Sequence, residues 1–132
     1  LLHDIGHFLH AFPQNCAEDG IDSVHEDLGS AFLARFFPES VSEPVRLHVN
    51  AKRYLCGAEP AYFDTLSDAS VRSLMLQGGP FEGDDLESFI QQPYAKDAVI
   101  LRRCDDGAKV EGLDVPTIES YREMLNGLVV RT

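Results

Sequence analysis

Leu1-Leu2-His3-Asp4-Ile5-Gly6-His7 opens the chain, and the fold is decided by how these seven residues are read. Leu2, Ile5 and Leu9 recur at helical spacing and Pro13 supplies a stop, so Leu1–His10 reads as an apolar helix. On a helix, residues three and four apart share a face, which lets His3, Asp4 and His7 converge on one point. Two imidazoles and a carboxylate among Leu1, Leu2 and Ile5 are expensive to bury unless something binds them. A metal ion of borderline hardness suits that donor set. Gly6 allows a neighbouring element to approach the backbone closely.

Downstream the pattern stays helical. Residues Phe12 to Asp22 are polar and read as a loop. Ser23 with Glu26 reads as a capping box, opening a helix whose stripe runs through Val24, Leu28, Ala31 and Phe32 toward Phe36. Pro38 stops it. Ser40 and Glu43 make a second capping box, with Pro44 tolerated in the first turn. The helix that follows carries Val45, Leu47, Ala51 and Leu55 and ends near Gly57. Ser67 caps a further helix that runs to Gln77 and is closed by Gly78 and Gly79. Short helices are expected over Gly83 to Gln92 and Ala95 to Arg103, after which Asp105, Asp106 and Gly107 turn the chain. Thr117 begins a last helix with Ile118, Tyr121, Leu125 and Leu128 on one face. Val99-Ile100-Leu101 has strand-like content but no evident partner strand. The expected class is all-α, with a core that includes Val24, Leu28, Phe32, Leu47, Leu74 and Leu125.

A chain of 132 residues fits one domain with a real core. Its 44% apolar and 25% charged residues are ordinary for a globular protein. A formal charge of −11 argues against nucleic acid as a partner, because phosphate backbones need a basic surface. A few cations gathered in a pocket can still hold a small anion. No apolar run approaches the roughly 20 residues of a membrane span. Cys16, Cys56 and Cys104 are widely spaced and odd in number, which suggests reduced thiols and a cytoplasmic protein.

His25 sits one turn into the second helix and His48 midway along the third. Singly, each is more simply a surface or satisfied core histidine. Their order changes the reading. A His-Asp pair, isolated histidines on the next two helices and a late aspartate (Asp105 or Asp106) resemble the ligand layout of the HD superfamily. There, ligands from several bundle helices project into one core and hold one or two metals.

The finer resemblance rests on longer strings: His48-Val49-Asn50-Ala51-Lys52-Arg53-Tyr54-Leu55, Leu66-Ser67-Asp68-Ala69-Ser70 and Leu76-Gln77-Gly78-Gly79-Pro80. Together with the opening seven residues and Arg102-Arg103-Cys104-Asp105, they resemble the HD-domain phosphonate-degradation oxygenases, distant relatives of myo-inositol oxygenase. The resemblance implies a single all-α HD-domain bundle over 1–132. It implies two iron ions, Fe2+ and Fe3+, dioxygen as co-substrate and a small anionic organophosphonate as substrate. Oxidation at the hydroxylated carbon would break the carbon–phosphorus bond, giving phosphate and a carboxylic acid.

The same resemblance implies roles for individual residues. His3, Asp4 and Asp105 would hold one iron with a further histidine from an upstream helix. Asp4 would bridge to a second iron completed by His25 and His48. His7, Lys52, Ser70, Ser73, Gln77 and Arg102 would line the substrate pocket, with His7 and Lys52 taking part in catalysis. The residues themselves lend support: Lys52 lies one turn beyond His48, and Ser70, Ser73 and Gln77 follow an i, i+3, i+7 row suited to oxyanion oxygens. That row could equally be a solvated helix face. Arg53 and Arg103 are expected to be structural or surface residues.

The chain departs from the family in opening at Leu1, already inside the metal-binding helix. It is expected to be N-terminally incomplete, lacking a helix that supplies a histidine, and to bind at most one iron tightly. His10 is a substitute in name only, being two turns from His3. Two rival readings are a metal-dependent phosphohydrolase of nucleotides and a non-catalytic HD remnant.

Overall fold

The computed structural model describes residues 1–11 and 18–130. Cys16, Pro13 as a helix stop, and most of the loop expected from Phe12 to Asp22 lie outside the described residues. Those described are helical and contain no strand. A 3-10 turn, Ile5–Phe8, is followed by α1 (His25–Leu33), α2 (Glu39–Ala58), α3 (Pro60–Phe63), α4 (Asp68–Leu76), α5 (Asp84–Ile90) and α6 (Ala95–Ala108). A second 3-10 turn, Ile118–Tyr121, leads into α7 (Arg122–Leu128). Among the described residues no helix is long and apolar enough to cross a membrane.

The long α2 is the axis of the bundle. It packs on α1 along one side and on α6 along the other, with α3 and α5 against its C-terminal half. Two apolar clusters flank it. Leu47 and Ala51 meet Phe89, Ala95 and Ala98, while Leu55 and Cys56 meet Tyr62 and Leu74. Each buried leucine removes enough apolar surface from water to contribute about 2 kcal/mol.

Both ends of α4 follow its sequence. Ser67 accepts a hydrogen bond from the Ser70 N–H at 3.2 Å. At the other end the Gly79 N–H bonds Leu74 O at 2.9 Å and the Gly78 N–H bonds Met75 O at 3.2 Å. This paired closure needs the left-handed φ values of +102° and +73° that Gly78 and Gly79 supply. Arg53 seals the same corner, donating to Gly79 O at 2.8 Å and lying over the Phe81 ring.

Four expectations are corrected. Leu1–His10 is not a helix but a single 3-10 turn, because Gly6 must lie flat against α1. The stripe of α1 faces the other way: His25, Gly29, Ser30 and Leu33 are buried, whereas Val24, Leu28 and Phe36 are exposed. Neither capping box forms. Val24, in the left-handed region, precedes α1, and Pro38 precedes α2, which starts at Glu39 and carries Pro44 in its second turn. Glu43 instead pairs with Arg46 at 2.7 Å.

The fourth correction is that Asp105, Asp106 and Gly107 do not turn the chain. They continue α6 to Ala108, held by i,i+3 and i,i+4 pairs from Arg102 to both aspartates and from Asp105 to Lys109. At the C-terminal end, α7 packs against its preceding turn and buries none of its residues. The Val130 N–H reaches Phe36 O at 2.8 Å.

Candidate metal centre

Backbone contact sets the geometry of the site. A Cβ on Gly6 would lie 1.8 Å from His25 O and 2.9 Å from Gly29 N, so only glycine lets the opening turn rest on the first turn of α1. That contact brings Asp4, just before the turn, over His25. Val24 adopts φ 46°, a costly conformation for a β-branched residue. It places Ser23 Oγ 3.4 Å from His25 Nδ1. His48 projects from the middle of α2, and Asp105 from the last turn of α6.

The five residues form two groups that share one carboxylate. His25 Nε2 lies 3.5 Å and His48 Nε2 3.7 Å from Asp4 Oδ1. His3 Nε2 lies 3.2 Å from Asp4 Oδ2 and 3.3 Å from Asp105 Oδ1. Within each group the ligand atoms all fall within 4.8 Å of one another. Asp4 therefore offers one oxygen to each group, as a carboxylate bridging two cations would.

The donor set fits metal ions. His48 Nδ1 is 2.6 Å from Val45 O, which fixes its N–H there and leaves a lone pair on Nε2. Burial holds the His48 pKa down at about 4, so the ring stays neutral. His25 Nδ1 lies 3.5 Å from Glu26 Oε2 and 3.4 Å from Ser23 Oγ, while its Nε2 faces Asp4 and His48. The two Nε2 atoms then face each other across 3.2 Å, a distance that calls for a proton or a cation between them. The Asp105 carboxylate, then that of Asp4, raises the His3 pKa to about 9. The carboxylates recruit positive charge, and His3 Nε2, though buried, makes no well-formed hydrogen bond. Burial works against ionisation of Asp4, yet His25 and His3 hold its carboxyl well below the usual range. Asp105 is held low in the same way by His3, Lys109 and Arg102 against its burial.

A cavity of about 220 Å³ opens beside the shared carboxylate. Its wall includes Asp4, His7, His25, His48 and Asp105, together with Lys52, Ser70, Ser73, Gln77 and Arg102. All the residues read from the sequence as pocket residues thus border one space. Lys52 is 3% exposed and donates to Ser73 Oγ at 2.8 Å. Burial, followed by the charge of Arg102, lowers its pKa to about 8. Gln77 Oε1 is buried without a partner. His7 stacks on His25, with ring centroids 3.9 Å apart and planes 15° from parallel. His10 lies beyond it, its Nε2 3.5 Å from His7 Nδ1 and not in either ligand group.

The choice between the consecutive aspartates is plain in the geometry. Asp105 faces His3, while Asp106 turns away to Arg102 and Tyr62. The sequence reading did not single out Ser23 and Glu26 as partners of His25, since both were spent on a capping box. A carboxylate adjacent to a candidate ligand was the available signal. Tyr62 carried no signal at all, because the loop and helix that bring it to α6 are not written in any local pattern.

No protein-family model matches the chain. It is 40% identical over 129 residues to a [1-hydroxy-2-(trimethylamino)ethyl]phosphonate dioxygenase (glycine-betaine-forming) of Leisingera caerulea, an alignment covering 98% of this chain and 66% of that protein. It is 51% identical over 125 residues to a hydroxymethylphosphonate dioxygenase of Gimesia maris, covering 92% of this chain and 61% of that protein. The chain thus spans a little under two thirds of the length of these curated relatives.

Proposed function

We propose that this chain, which belongs to the HD-domain phosphonate oxygenase family, is the metal-binding domain of an oxygenase that cleaves the carbon–phosphorus bond of a small 1-hydroxylated organophosphonate. The reading treats residues 1–132 as a single HD domain. The observation that carries it is the shared carboxylate: Asp4 faces His25 and His48 with one oxygen and His3 with the other. The metals proposed are two irons, one held by Asp4, His25 and His48, the other by His3, Asp4 and Asp105. Iron, when bound, supplies the redox chemistry that lets dioxygen react with an unactivated carbon.

The chain's own residues bind and orient the substrate. Lys52 is the charge that meets the phosphonate, and its burial makes that charge count for more than it would in water. Ser70 and Ser73 offer hydroxyls to phosphonate oxygens. The unpartnered Gln77 Oε1 is an acceptor, so it would take a hydrogen bond from the substrate's hydroxyl and not from the phosphonate oxygens. Arg102 adds positive potential from the wall, and His7 borders the same space beside the proposed ligands. For hydroxymethylphosphonic acid the atoms balance with one dioxygen: formic acid and phosphoric acid are the products, and the C–P bond is the one broken. The free thiols Cys56 and Cys104 suit a reducing compartment such as the cytoplasm.

Phosphate release from hydroxymethylphosphonate and from [1-hydroxy-2-(trimethylamino)ethyl]phosphonate, under air and under nitrogen, tests the proposal. Oxygen-dependent phosphate from either substrate supports it. Phosphate released equally under nitrogen, or only from nucleotides, would replace it with a hydrolytic reading.

A further inference from the structure

Arg102 borders the cavity, yet its guanidinium is largely committed behind it. Its NH2 group meets Asp106 Oδ1 at 2.5 Å and its Nε lies 3.3 Å from Asp106 Oδ2. The same Nε donates to the Tyr62 hydroxyl at 3.1 Å, and that hydroxyl donates in turn to Asp106 Oδ2. Only NH1 points the other way, to Asp105 Oδ2 at 3.1 Å. Lys109 Nζ reaches that same oxygen, also at 3.1 Å. Asp105 Oδ2 is therefore held by two cations, and Oδ1 alone is presented to His3.

We propose that Tyr62 and Asp106 are positioning residues for the metal centre: they lock Arg102, and Arg102 locks Asp105 as a one-oxygen ligand. The inference rests on the reading of His3, Asp4 and Asp105 as a metal group. A planar guanidinium gripped on its Nε edge by a carboxylate has little freedom left in its remaining arm. Tyr62 adds a second fixed point from α3, an element that supplies no residue to either candidate metal group. Without this brace Asp105 could rotate, offer both oxygens or neither, and Arg102 could swing into the cavity. Outer partners of this kind are worth about 10–100-fold in metal affinity.

The test is anaerobic calorimetric titration of the metal-free full chain with Fe2+, for the wild type and for Asp106→Asn, Asp106→Glu, Tyr62→Phe and Arg103→Ala. Arg103 pairs with Glu59 on the exposed surface and serves as control. The wild type is expected to show a tight event at His25 and His48 and a weaker one at His3 and Asp105. Asp106→Asn should weaken the second event about 10–100-fold and leave the first unchanged, with partial rescue in Asp106→Glu and no effect in the control. Tyr62→Phe should cause a smaller loss in the same event, and it decides the matter alone if Asp106→Asn does not fold. An unchanged second event in both variants overturns the proposal, as does equal loss of both events with a lowered melting temperature. A wild type without a second event overturns the two-metal reading itself, and this inference with it.

Discussion

A single methyl group on Gly6 would stand 1.8 Å from the carbonyl oxygen of His25, so Gly6→Ala must push the opening turn off α1. Overpacking of this sort costs about 1–3 kcal/mol, and here it also separates Asp4 from His25. The expected result is lower stability in urea denaturation together with loss of metal from both groups. Loss of stability with metal binding intact would mean that Gly6 is structural only. The importance of Gly6 was legible in the sequence, because a glycine between apolar residues and ligands signals close backbone approach. The stacking of His7 on His25 was not, since it depends on the turn being 3-10 and not α.

Lys52 makes a second residue-level prediction with a defined sign. Burial lowers its pKa from 10.5 to about 8, so between those values the unfolded chain holds a proton the folded chain has released. Stability therefore rises with pH through that window, and the cost of the buried ammonium is fully present below pH 8. Lys52→Met should raise stability at pH 7 by up to about 3 kcal/mol and lose the advantage above pH 10.5. Anion binding runs the other way. On the proposal that Lys52 meets the phosphonate, that charge is lost above about pH 8, so affinity for an organophosphonate should fall as pH rises through 8 and be weak at all pH values in Lys52→Met. Calorimetric binding across pH 6.5–9.5 checks the anion arm and denaturation at pH 7 and pH 11 the stability arm; a flat binding profile would remove Lys52 from the anion site.

At the scale of elements, α4 shows what local sequence can specify. Ser67 caps it, Gly78 and Gly79 close it, and the row Ser70, Ser73, Gln77 comes to the cavity wall. Ser67→Ala should cost about 1 kcal/mol in chemical denaturation, with metal binding unchanged. The first helix shows the opposite. Ser23 and Glu26 have the spacing of a capping box, but both side chains lie instead beside the ring of their near neighbour His25. Its apolar stripe was misread for a related reason: the face that packs on Gly6 must be small, so Gly29 and Ser30 point inward and Leu28 outward. In α6, ion pairs from Arg102 carry the helix through Asp105-Asp106-Gly107, a string whose local chemistry favours a turn.

Across the whole molecule, an acidic chain of net charge −11 concentrates Lys52, Arg102 and Lys109 at one cavity beside its candidate metal groups. The all-α class was legible in the helical periodicity, and the structure brings together His3, Asp4, His25, His48 and Asp105, from four separate segments, which the resemblance implied as ligands. What that order could not convey is which carboxylate oxygen serves which group, because this depends on where the opening turn settles on α1. The shared carboxylate is the centre of the account, and removing its charge is the most direct trial of it. Anaerobic Fe2+ titration of Asp4→Asn should show both binding events weakened at once, whereas His25→Ala should weaken only the tighter one. An Asp4→Asn protein that keeps either event at wild-type affinity would contradict the bridge.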